Sequence, residues 1–232
     1  MNPLIKREIK EFYIRERLTA IVSFSMTIYF FYLFIQGFST ENVTFVNYFM
    51  VYIIPIAIFS LYSSVMLVKP IYQEIVEGKI EVLLGIGFSP FQVWATKTAV
   101  LCGVIYFFMI SGYVSANLIC YFTNGEMMIT YLNLMQNIIL LLVAPMLGMS
   151  IVSTMTFLIF ILKNNAIARY LPLILFGILL FISKRFDGFL GALNLDINFY
   201  YLSIILSIIL SIIFIFIPYI IIRNAKKEQF IK

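Results

Sequence analysis

The chain has 232 residues, 62% of them hydrophobic and only 12% charged, with a formal charge of +5, two cysteines and no histidine. A water-soluble domain carries about 25% charged residues, so a soluble globular core is excluded and an all-α polytopic membrane protein is predicted. Without histidine, neither a zinc protease centre nor a serine–histidine hydrolase can be built.

Residues 1–18 predict an amphipathic helix at the cytoplasmic surface rather than a signal peptide. Ile5, Ile9, Phe12 and Tyr13 form an apolar stripe at helical spacing. Arg7 and Glu11, then Glu11 and Arg15, stand at i,i+4 on other faces. A transmembrane domain follows over 19–222, and a polar tail over 223–232. Within 19–222 the apolar runs place six spans, at 19–36, 45–68, 98–122, inside 131–162, at 167–183 and at 199–222. Pro55, Pro145, Pro172 and Pro218 fall in these spans and predict bends. Cys102 and Cys120 lie in one run and predict no disulfide, being too far apart along a single helix.

Residues 69–97 form a polar stretch between two apolar blocks. Glu74, Glu77 and Glu81 recur at i, i+3 and i+7, a spacing that puts them on one face of a single helix. Gly85 and Gly87 are expected to stop that helix. Ser89, Pro90 and Gln92 predict a capped restart: a hydroxyl N-cap, proline at the first helical position and a capping-box glutamine.

Glu74-Ile75-Val76-Glu77-Gly78-Lys79-Ile80-Glu81-Val82-Leu83-Leu84, the turn after it and Lys97 resemble the intracellular loop of ABC-2-type transporter permeases. Departures are Lys79 where Thr is usual, Ile80 where Leu is usual, Gly87 where Pro is common, and Thr96 before the closing Lys97. In that family this loop carries the coupling helix, which seats on a separate ATP-hydrolysing subunit. The resemblance implies coupling roles for Glu74, Glu77, Gly78, Glu81, Leu83, Leu84, Gly87, Ser89 and Pro90, with the carboxylates facing the ATPase. Leu83, Leu84 and Phe88 would anchor the helix against the ATPase or the bilayer edge. It implies a second permease subunit, identical or related, and two ATPase subunits that bind ATP and magnesium. It also implies a short re-entrant segment over 184–198.

The charge distribution sets an orientation. With the N-terminus inside, all of the 16 lysines and arginines except Lys184 and Arg185 fall in cytoplasmic segments. The positive-inside rule then predicts both termini in the cytoplasm of a bacterial cell. The basic excess has this origin and implies no nucleic acid. No phosphate-binding Gly-x-x-x-x-Gly-Lys-Ser/Thr loop occurs, and apart from Arg169 at the cytoplasmic edge of the 167–183 run the predicted spans hold no Asp, Glu, Lys, Arg or His. A transporter of this kind must borrow its energy, so the chain is not itself expected to be an enzyme or to bind a cofactor.

Ser203, Ser207 and Ser211, and separately Gly112 and Ala116, repeat at i,i+4 and predict close helix approach, within the subunit or across a dimer. Tyr29, Tyr32, Asn47, Tyr48, Tyr52, Tyr113 and Asn117 are candidates for lining a substrate pathway, against the alternatives of interfacial aromatic belts and core packing. The expected function is export of a hydrophobic or amphipathic substrate, first a peptide toxin or bacteriocin, with drug or lipid export as the runner-up. A non-transporting immunity or scaffold protein of the membrane is the reading from another class.

Overall fold

The computed structural model describes residues 3–15, 17–38, 43–63, 68–125, 127, 129, 132–162, 170, 174, 177 and 198–225. Every regular element among them is a helix. In chain order these are α1 (Pro3–Arg15), α2 (Arg17–Phe38), α3 (Val43–Tyr62), α4 (Val68–Val76), α5 (Lys79–Gly85), α6 (Pro90–Asn124), α7 (Leu134–Leu162) and α8 (Asn198–Asn224). Among the described residues, three stretches are long and apolar enough to cross a bilayer: Pro90–Thr123, Leu134–Leu162 and Ile204–Asn224. The predicted span at 167–183 and the loop at 184–198 fall almost wholly outside the described residues.

Helix α6 is longer than the apolar run that predicts it. It begins at the Ser89 cap and continues for 35 residues, about 50 Å at 1.5 Å per residue. Gly125, at φ 79°, terminates it. α6 and α7 form the centre: Leu101, Ile105, Met109 and Ala116 of α6 are buried, as are Ile139, Leu140, Val152 and Ile159 of α7. α3 packs on α7, α2 on α6, and α8 on α7.

Small residues set the closest approaches. A Cβ at Gly148 of α7 would overlap the Phe59 ring of α3, and one at Gly112 of α6 would overlap Thr27 of α2. Ala116, one turn from Gly112, is fully buried. The Gly112/Ala116 face therefore packs inside the subunit. Ser207 and Ser211 do the same for α8, where they are buried while Ile205, Leu206, Ile209 and Ile212–Ile217 stay exposed. Phe31 of α2 meets Tyr113 of α6 edge to face, with ring centroids 5.7 Å apart.

Helix α7 contains a π-turn over Ile139–Val143, directly before Pro145. A proline takes away the N–H that would bond the carbonyl four residues back. Here that carbonyl belongs to Leu141, and the Tyr106 hydroxyl of α6 donates to it at 3.0 Å. The same device recurs at Pro218 of α8. Its freed carbonyl is that of Phe214, and Thr154 Oγ1 of α7 lies 3.1 Å away as donor, shared with its own Ser150 carbonyl at 2.9 Å. In hydrocarbon an unpaired carbonyl is costly, so a neighbouring hydroxyl is what makes each interruption tolerable.

Candidate functional site

The polar stretch between α3 and α6 is folded into two short helices, not one. α4 ends at Val76, and Glu77 and Gly78 form a turn in which Gly78 takes φ 70°. The left-handed region disfavours any residue with a Cβ, which is why glycine stands there. α5 restarts at Lys79 and closes after Gly85. Phe88 N–H donates to the Leu83 carbonyl at 3.2 Å and Gly87 N–H to the Leu84 carbonyl at 3.3 Å. With Gly87 at φ 111°, this is a Schellman stop.

The restart at α6 follows the sequence. Gln92 N–H donates to Ser89 Oγ at 3.1 Å, Ser89 N–H donates to Gln92 Oε1 at 2.9 Å, and Pro90 occupies the first helical position. Both orphan donors are satisfied reciprocally.

The expected single carboxylate face does not form. Gly78 breaks the helical phase between Glu74 and Glu81, so spacing counted through it no longer maps to one side. Glu74 is buried, 4% exposed, and points inward. Glu77 sits exposed in the turn and pairs with Lys79 at 2.5 Å. Glu81 occupies the first turn of α5, where a carboxylate favours the helix dipole.

The expected anchoring of Leu83 and Leu84 on another molecule is also corrected. Both are buried inside this chain, in one cluster with Ile71, Ile80, Val93 and Trp94. A seven-residue helix has little stability of its own and needs such burial to hold its shape. What the α4–α5 hairpin offers outward is different: Val76, Val82 and Ile86, which are 59%, 61% and 71% exposed, with Glu77 beside them. Val82 and Ile86 stand at i,i+4 on one side of the hairpin tip.

Beneath this hairpin lies a buried ionic cluster. Lys97 of α6 is 2% exposed. Its ammonium lies 2.6 Å from Glu74 Oε2 of α4 and 2.8 Å from Glu8 Oε2 of α1. Glu11, one turn beyond Glu8, is held by Arg7 at 3.2 Å through one oxygen, while its Oε2 is buried without a hydrogen-bond partner among the described residues. Carboxylate oxygens of Glu8, Glu11 and Glu74 all lie within 4.8 Å of one another. That spacing would suit a cation, and Lys97 already supplies one to two of the three. Burial pushes the Glu74 carboxyl above the usual carboxylate range; Lys97 opposes this, while Glu8 and Glu11 add to it.

This cluster organises α1. Leu4 is buried and Glu8 turns inward at i+4, whereas Ile9 of the expected apolar stripe is 45% exposed. The helix thus docks on α6 by one face and leaves part of its apolar stripe free. Sequence pattern alone missed the Glu8 face, although a lone lysine opening a long apolar run was a signal that a carboxylate partner must come from elsewhere.

The candidate pathway residues scatter. Tyr29 and Tyr32 are exposed on α2, and Tyr52 is half-buried against the core. The side chains of Asn47 and Tyr48 lie outside the described set. Tyr113 is buried and donates to Asn137 Oδ1 of α7 at 3.0 Å. Asn117 donates to the Tyr113 carbonyl and accepts from Ile129 N–H at 2.9 Å, pinning the α6–α7 connection. Tyr62 is likewise hydrogen-bonded to Thr27 across α2 and α3. These groups join helices to one another. No family, curated protein or solved structure matches the chain.

Proposed function

We propose that the chain is the transmembrane permease subunit of an ATP-driven exporter of the ABC-2 type, with six spans and both termini cytoplasmic. The α4–α5 hairpin is its coupling element. The observation that carries this reading is the construction of the hairpin. Two glycine-dependent turns and a capping box fix its shape, Ile80, Leu83 and Leu84 root it in the core, and its tip presents Val76, Val82 and Ile86 to solvent. Exposed large apolar residues on a rigid polar loop mark a docking surface. A load applied at the tip passes through Lys97 directly into α6, the long central helix.

In this reading two copies of the subunit, or one and a related partner, enclose the pathway. A separate ATPase pair carries ATP and magnesium and drives alternating access. The substrate is hydrophobic or amphipathic, a peptide toxin or bacteriocin first. Tyr29 and Tyr32 of α2 are the exposed pathway candidates among the described residues.

The test is purification of the tagged full chain from its native membranes in mild detergent. The expected result is a co-purifying P-loop subunit whose ATP hydrolysis elutes with the chain, and its loss in the Val82→Asp/Ile86→Asp double variant at equal membrane insertion. A purified chain with no associated ATP hydrolysis, or a double variant that keeps it in full, overturns the reading.

A further inference from the structure

We propose that Glu8, Glu11 and Glu74 around Lys97 form a proton-holding latch, which fastens α1 to the α4–α5 hairpin and the start of α6 when protonated and releases it as pH rises. This does not depend on the exporter reading.

The argument starts from charge balance. Among the described residues, three carboxylates meet two cations, Lys97 and Arg7, at this place. Other charges do not complete the balance. On α5, Lys79 is committed to Glu77 and Glu81 adds a further negative charge. On α1, Lys6 and Lys10 are exposed. The segment Ala144–Leu162 of α7, packed against α4, has no ionisable group. With all three carboxylates ionised, one negative charge is buried without a partner, which is costly in a low-dielectric site. One proton removes the deficit.

Exposure decides which group holds it. The side chains of Glu74, Glu8 and Glu11 are 5%, 11% and 30% exposed. Water solvates the charge of Glu11 best and that of Glu74 least. The neutral acid is therefore Glu74, and the remaining pairs, Glu8 with Lys97 and Glu11 with Arg7, are balanced. The proton comes from solvent and returns to it, so nothing else need be supplied.

The sign follows from linkage. Docking raises the Glu74 carboxyl above its range in the undocked, solvated state. A raised carboxyl stabilises the docked state fully below the ordinary glutamate range, and that stabilisation is lost as pH rises through the raised value. Once Glu74 ionises, it repels Glu8 and Glu11, both on α1. That helix carries two of the three carboxylates, and it packs chiefly on α6.

The test is hydrogen exchange on the full chain in lipid nanodiscs, from pH 5 to pH 9, corrected for intrinsic exchange, with α6 amides as internal reference. Protection of the α1 amides should fall with rising pH, by at most about tenfold per pH unit for a single proton. Glu74→Gln, which mimics the neutral acid, should keep α1 protected within about twofold across the range. Glu11→Gln, which removes a neighbouring negative charge and with it the deficit, should shrink the loss of protection at high pH. Wild-type protection of α1 that ignores pH, a Glu74→Gln variant that follows the wild-type profile, or a Glu11→Gln variant that loses as much α1 protection at high pH as wild type, or more, overturns the latch. α6 protection separates release of α1 from general unfolding.

Discussion

The Tyr106 hydroxyl of α6 donates, at 3.0 Å, to the one backbone carbonyl of α7 that Pro145 leaves without its i+4 donor, that of Leu141. Thr154 stands in the same relation to Phe214 and Pro218. Both bonds cross between helices, so each proline has been turned from a break in one helix into a tie between two. Tyr106→Phe and Thr154→Val should therefore each lower stability by about 0.5–1.5 kcal/mol, the net value of one hydrogen bond. Tyr29→Phe, on an exposed α2 position, should be silent. Unfolding in mixed micelles measures all three. Equal stabilities for Tyr106→Phe and Tyr29→Phe would remove the proline role.

Glycine positions divide by what surrounds them. At Gly148 an added methyl meets the Phe59 ring, and at Gly112 it meets Thr27. Gly103 lies in the same helix as Gly112 with nothing within 4 Å of an added Cβ. Gly148→Ala and Gly112→Ala should each destabilise by about 1–3 kcal/mol through overpacking. Gly103→Ala should be neutral or stabilising by up to about 1 kcal/mol, because alanine is the better helix former. Phe59→Leu combined with Gly148→Ala should recover part of the loss, a coupling that a double-mutant cycle reads directly. Additive losses in that cycle would mean the two residues do not constrain one another.

How much of this was legible in the sequence depends on range. The Ser89–Pro90–Gln92 cap was readable because all of its partners lie within three residues. The long apolar helices were readable from composition alone. Helical periodicity carried through Gly78 misplaces the face of Glu74, because the left-handed backbone there resets the phase. The resemblance places Leu83 and Leu84 against an ATPase or the bilayer edge, and nothing in their local pattern distinguishes that from burial in the chain's own core. The Lys97–Glu8 pair spans 89 positions in the chain, and no local pattern announces it. Tyr113 and Asn117 read as a polar lining in the sequence because their partners, the Asn137 side chain that accepts from Tyr113 and the Ile129 N–H that donates to Asn117, sit on the far side of a turn.

The last prediction separates the surface of the hairpin from its root. Glu77 is exposed and Glu81 lies half-exposed at the start of α5, whereas Glu74 is buried against Lys97. Reversing Glu77 and Glu81 together to Lys changes the charge presented to a docking partner, and like charges across an interface cost several kcal/mol. Inside the chain the change is small. The Glu77–Lys79 pair is partly solvated, and such pairs contribute only about 0–1 kcal/mol. The double variant should insert and fold as wild type but lose partner association or uncouple transport from ATP hydrolysis. Glu74→Lys should behave in the opposite way. It sets a second ammonium against Lys97 in a buried site, where an uncompensated charge costs about 3–5 kcal/mol, so the chain itself should fail to fold stably. Size-exclusion profile and thermal stability measure the first property; co-eluting ATP hydrolysis and export measure the second. If the Glu77/Glu81 reversal keeps full association and full export, the hairpin tip is not the coupling element. If Glu74→Lys is as stable as wild type, the cluster around Lys97 does not hold the root of the hairpin.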